Sequence, residues 1–99
     1  MKEQREFDLV VTIVKSGYAQ SVMEAAKAAG ASGGTVLSAK GTEQDSERKD
    51  IVMILVGNGQ RQEIMQAIAM GANLHNEGMG ISFSLPVDDV VGIVSAAKE

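Results

Sequence analysis

GASGGTVLSAKGTEQDSERKDIVMILV, residues 30–56, holds two apolar stretches with a polar run between them, and neither stretch has a helical period. The first, from Gly34 to about Lys40, is rich in small and β-branched residues and reads as a strand. GTEQDSERKD, residues 41–50, has no apolar side chain in its ten positions and reads as a solvated loop. IVMILV, residues 51–56, is a continuous apolar run of strand length, the pattern of a strand buried on both faces. Two strands therefore follow each other directly, with no helix between them.

The chain reads simply outward from this pair. Upstream, FDLVVTIVK (residues 7–15) alternates, with Phe7, Leu9, Val11 and Ile13 on one face and Asp8, Val10, Thr12 and Val14 on the other, a strand more buried than exposed. YAQSVMEAAKAAG then sets Val22, Ala25, Ala26 and Ala29 at helical spacing, with Gly30 as the C-terminal cap. Downstream, GNG turns the chain into a second helix whose stripe is Ile64, Ala67, Ile68 and Met65, closed by Gly71. ANLHNEGMG is aperiodic and reads as a loop, and ISFSLPV alternates, with Ile81, Phe83 and Leu85 expected inward and Ser82 and Ser84 outward. Pro86 ends that ladder, and the tail VDDVVGIVSAAKE suits a short helix, capped by Asp88 and Asp89, plus a short strand. The order is βαββαβ: an α+β, ferredoxin-like sandwich with an antiparallel sheet and two helices on one face. Its halves form a near-repeat of strand, helix, strand.

Composition narrows the classes of function. The 99 residues suit one domain spanning residues 1–99, with 44% hydrophobic residues but only 3% aromatic ones. A core built from Val, Ile, Leu, Ala and Met at this length gains much from oligomerisation. There is no cysteine, hence no disulfide framework and no thiolate metal site. A polar start, MKEQREFD, and the lack of a long apolar run imply a cytoplasmic protein that meets a membrane only through a partner. The net charge of −4 with dispersed Lys and Arg argues against nucleic-acid binding.

Two segments carry a family resemblance. GASGGTVLSAKGT resembles the part of the PII signalling superfamily in which the second strand runs into a mobile T-loop. GMGISFSLPVDDVVGI is similar to that family's B-loop and fourth strand. The resemblance covers nearly the whole chain and places a T-loop equivalent at residues 41–50 and a B-loop equivalent at 73–80. It implies a homotrimer with adenine nucleotides (AMP, ADP or ATP) held in clefts between subunits. Carried over by position, Ile13, Gly33, Gly34 and Thr35 would line the adenine end, Gly41 would open the T-loop, and Gly78, Met79 and Gly80 would approach the phosphates. Thr42, Glu43, Arg48 and Lys49 would form the loop that meets a regulated partner, a transporter or a metabolic enzyme. Glycine backbone allows such close approach, and bare N–H groups in a glycine-rich turn cradle anionic oxygens.

The sequence also departs from the nitrogen-regulatory members. Ile81 stands where they carry a phosphate-contacting Lys, Asp88 and Asp89 stand where basic residues are expected, and the only tyrosine, Tyr18, lies at the first helix rather than in the T-loop. Charge-assisted contacts are the main means of holding a triphosphate, so these departures favour a ligand of lower charge. The expected activity is signalling rather than catalysis, since no nucleophile–base pair is visible. The competing readings are a trimeric interaction module without ligand and a metal-binding protein of the same architecture. For the latter His75, beside Glu77, is the sole imidazole, although a lone His in a polar loop is usually an ordinary exposed residue.

Overall fold

The computed structural model describes residues 6–42 and 47–93. Strand β1 (Phe7–Lys15) occupies the middle of the sheet, because its Val, Ile and Leu run finds apolar neighbours on both sides. It pairs antiparallel with β3 (Arg48–Gly57) on one side, Leu9 opposite Leu55 and Ile13 opposite Ile51. On the other side it pairs antiparallel with β4 (Gly80–Val87), Leu9 opposite Leu85 and Ile13 opposite Ile81. Strand β2 (Thr35–Lys40) completes the sheet as a hairpin with β3, giving the order β2-β3-β1-β4. Helices α1 (Ala19–Ala28) and α2 (Arg61–Gly71), the latter entered through a 3-10 turn at Asn58–Gln60, pack on each other and on the sheet. This is the expected βαββαβ sandwich.

The period-two pattern decides what lies between helices and sheet. Val10 and Val14 of β1 and Val52, Ile54 and Val56 of β3 meet Val22 and Ala26 of α1 and Ile64 and Ile68 of α2 in one buried core. Burial of such side chains contributes about 1.5–3 kcal/mol each relative to exposure. Asp8 and Thr12 share that buried face. Arg61 at the start of α2 meets Asp8 with Nη1 3.4 Å from Oδ2, and Thr12 Oγ1 lies 2.9 Å from Ser82 Oγ.

Four expectations are corrected. Ile81, Phe83 and Leu85 do not face the helices: the register Thr12 opposite Ser82 sets the two serines toward α2 and leaves the large residues on the open face, where Ile81 is 57% exposed. Strand β3 starts at Arg48, three residues before the apolar run, because β2 supplies backbone partners for polar residues as readily as for apolar ones: Lys40 faces Arg48 and Ser38 faces Asp50. β3 itself alternates rather than being buried on both faces, with Ile51, Met53 and Leu55 only half-covered on the open side. Residues 88–93 form neither helix nor strand, so Asp88 and Asp89 cap nothing there, and the rest of the proposed tail elements, residues 94–99, lies outside the described residues.

Candidate functional site

A groove of about 1030 Å³ opens where β2 begins too late to cover β3. Thr35 pairs with Met53, so the β3 residues beyond Met53 have no β2 neighbour, and the chain from Gly30 to Gly34 arches past the gap instead. Gly33, Gly34 and Thr35 line this groove together with Leu9, Met53, Leu55 and Ile64. Among the described residues none that lines it is charged. Gly34 is required there by packing: a Cβ would stand 2.9 Å from the Met53 carbonyl oxygen and 2.9 Å from Ile54 Cγ1. Gly33 meets no such obstacle, since a Cβ there would find nothing within 4 Å.

The other residues expected at the site stand elsewhere. Gly80 pairs with Val14, at the opposite edge of the sheet, and its φ of 148° together with its approach to the Ile13 carbonyl oxygen excludes a side chain. Ile13 and Gly80 are thus brought together, with Gly78 and Met79 in the turn leading into β4. Gly41 closes the β2–β3 hairpin by donating its N–H to the Glu47 carbonyl at 2.8 Å, with Thr42 exposed beside it. Arg48 and Lys49 belong to β3, and Glu43 lies outside the described residues. Lys15 faces Lys49 directly across β1 and β3, and Lys49 Nζ lies 3.9 Å from Glu47 Oε1. His75 is exposed in the turn after α2, and among the described residues no group of three or more His, Cys, Asp or Glu side chains is placed to hold a metal ion.

The residues carried over from the resemblance therefore do not meet in one place within a single chain. Gly33 to Thr35 line the concave groove; Ile13, Gly41 and Gly78 to Gly80 lie at the end of the sheet that carries Lys15, Lys40, Arg48 and Lys49, with Gly41 just after β2 and Gly78 to Gly80 at the start of β4. β2 and β4 are the two edge strands, and three strand spacings put them roughly 14 Å apart. Sequence reasoning missed Gln60, Gly92 and Ile93, which also line the groove. Gln60 sits in a helix-entry turn and Ile93 beyond the last strand, where no period marks a face.

The nitrogen regulatory protein P-II family model matches residues 7–96. The crystal structure of Arabidopsis thaliana PII bound to citrate superposes with a TM-score of 0.78 at 30% identity, covering 91% of this chain and 82% of that one. No curated protein matches the chain. On the family match, sheet order and helix placement together, the chain belongs to the nitrogen regulatory protein P-II family. Among the described residues no helix is long and apolar enough to cross a membrane.

Proposed function

We propose that this chain is a regulatory protein rather than an enzyme, acting as a homotrimer that binds an adenine nucleotide between subunits and reports occupancy to a protein partner through the β2–β3 hairpin. The observation that carries this reading is the open sheet face. Ile81, Phe83 and Leu85 are 57%, 39% and 46% exposed, and they adjoin half-covered Leu9, Ile13, Ile51, Met53 and Leu55, with buried Val11 among them, in register. Soluble monomers rarely leave so continuous an apolar surface uncovered. Packing of several copies through this face covers it, and it supplies what one chain lacks: the β2 edge of one subunit set against the β4 edge of the next. The uncharged groove then takes the base and ribose, and the glycine turn with the nearby lysines takes the anionic end.

A ligand of this kind acts on the hairpin only through different affinities for its conformations. The partner is a transporter or metabolic enzyme that the hairpin docks to, and the site of action is the cytoplasm. The citrate in the Arabidopsis structure makes a small polycarboxylate the natural competitor to test. The deciding experiment joins light scattering with thermal shift in the presence of AMP, ADP, ATP and citrate, each with and without magnesium. A particle of three times the 10.4 kDa chain mass, stabilised by at least one adenine nucleotide, supports the reading. A trimer indifferent to all nucleotides replaces it with an interaction module, and a monomer removes the two-subunit site.

A further inference from the structure

We propose that Asp50 couples the β2–β3 hairpin to the start of α1, so that any change in hairpin register is felt by the helix layer. Asp50 lies on β3, opposite Ser38 of β2 and Val14 of β1. Its Oδ2 accepts the backbone N–H of Gly17 at 2.9 Å and that of Ala19 at 3.3 Å. Ala19 is the first residue of α1, and the residue before it, Tyr18, supplies no side-chain cap. First-turn amides of a helix need an acceptor from outside the helix. Here that acceptor comes from a strand 31 residues further along the chain.

A second tie runs in parallel, since the Ser16 N–H donates to the Arg48 carbonyl at 3.2 Å. Residues 16–19 are thereby held by two β3 positions next to the hairpin end, which closes at Lys40 opposite Arg48 and at Gly41 N–H to Glu47 O. The period-two geometry makes this connection close to all-or-none. A slip of β3 by one residue turns the Asp50 side chain to the other face of the sheet and removes both of its bonds at once. α1 packs on α2 and on β3, so loosening its first turn reaches the layer behind the sheet. By linkage, a change at the turn must act back on the hairpin to the same extent. None of this depends on which ligand the subunit cleft takes.

The test uses the full chain in its native assembly, with amide exchange at Gly17 and Ala19 and limited trypsin cleavage after Arg48 and Lys49 as readouts. Asp50→Ala is expected to speed both exchange and cleavage roughly tenfold, the size of a lost cap. Asp50→Asn keeps a carbonyl oxygen in place and restores most of the protection. Gly17→Ala approaches from the other side: it strains a residue at φ 100° while its Cβ meets nothing within 4 Å, and it is expected to speed cleavage at the same two hairpin positions. The double variant should exceed the larger single effect little, because both break one connection. Faster exchange in Asp50→Ala with unchanged cleavage, or a Gly17→Ala protein whose hairpin is cut at the wild-type rate, overturns the proposal. Should Asp50→Ala fail to fold, Gly17→Ala decides alone.

Discussion

β3 and β4 flank the same central strand and divide their side chains in opposite ways. β3 sends Val52, Ile54 and Val56 under the helices, where they are at most 3% exposed. β4 sends Ser82 and Ser84 there and turns Ile81, Phe83 and Leu85 away from the helices. Both are apolar alternating strands, yet one is held by the chain's own core and the other presents its hydrophobic surface outward. The difference teaches that the helix-facing side of β3 is held by the core of one chain, whereas β4 contributes its large side chains to the open face on which the proposed assembly rests.

Changes that separate the two strands follow from this contrast. The largest effect on folding is expected from Ile54→Ala, which leaves a cavity among Val10, Val22 and Ile64 and should cost about 2–5 kcal/mol in urea unfolding, out of a total near 5–15 kcal/mol. Its cost should be similar at every protein concentration, and a strong concentration dependence would assign Ile54 to an interface instead. Next comes Gly80→Ala, whose methyl group would run into the Ile13 carbonyl oxygen and Val14 at an unfavourable φ of 148°. A loss of about 2–4 kcal/mol is expected, and an unchanged melting curve would contradict the close approach of β4 to β1.

Phe83→Ser should act on the other property. Because Phe83 is 39% exposed in one chain, far-ultraviolet circular dichroism of the dilute protein should change little, while light scattering should show the assembly dissociating to monomers. An assembly that survives the substitution unchanged would place the subunit contact away from the open face. A gentler pair sharpens the groove: Gly34→Ala should destabilise by about 1–3 kcal/mol, since its Cβ would crowd Met53 O and Ile54, whereas Gly33→Ala should cost less than about 1 kcal/mol. Equal costs would break the assignment of Gly34 to packing and of Gly33 to the groove lining.

How far the sequence revealed this arrangement depends on the region. Element order was legible because β1, α1 and α2 have clear periods, and the alternation of β1 separated its two faces, whereas the unbroken apolar run of β3 hid which of its residues meet the helices. The orientation of β4 was not legible, because reading its alternation of large apolar residues with serines assumes that large residues face the core of the same chain, and here the serines face it instead. Nor was the start of β3, since Arg48 and Asp50 look like loop residues until β2 is known to pair with them. At the candidate site the glycine and threonine positions were readable, but their separation onto two edge strands was not, because distance across a sheet depends on strand order rather than on spacing in the chain.

The smallest effect tests how β4 is held on its helix-facing side. There β4 offers Gly80, Ser82, Ser84 and Pro86 opposite Val14, Thr12, Val10 and Asp8, so apolar packing contributes little and the 2.9 Å bond between Thr12 and Ser82 hydroxyls stands in its place. Thr12 is fully buried, so removing one hydroxyl leaves its partner poorly satisfied. Thr12→Val alone should cost about 1 kcal/mol, and Ser82→Ala alone a similar amount. The double variant should cost less than the sum of the two, since two apolar groups leave no unpaired hydroxyl behind. Strict additivity in that double-mutant cycle would mean that the hydroxyls act separately, and that β4 is kept in register by its backbone and by the open-face residues alone.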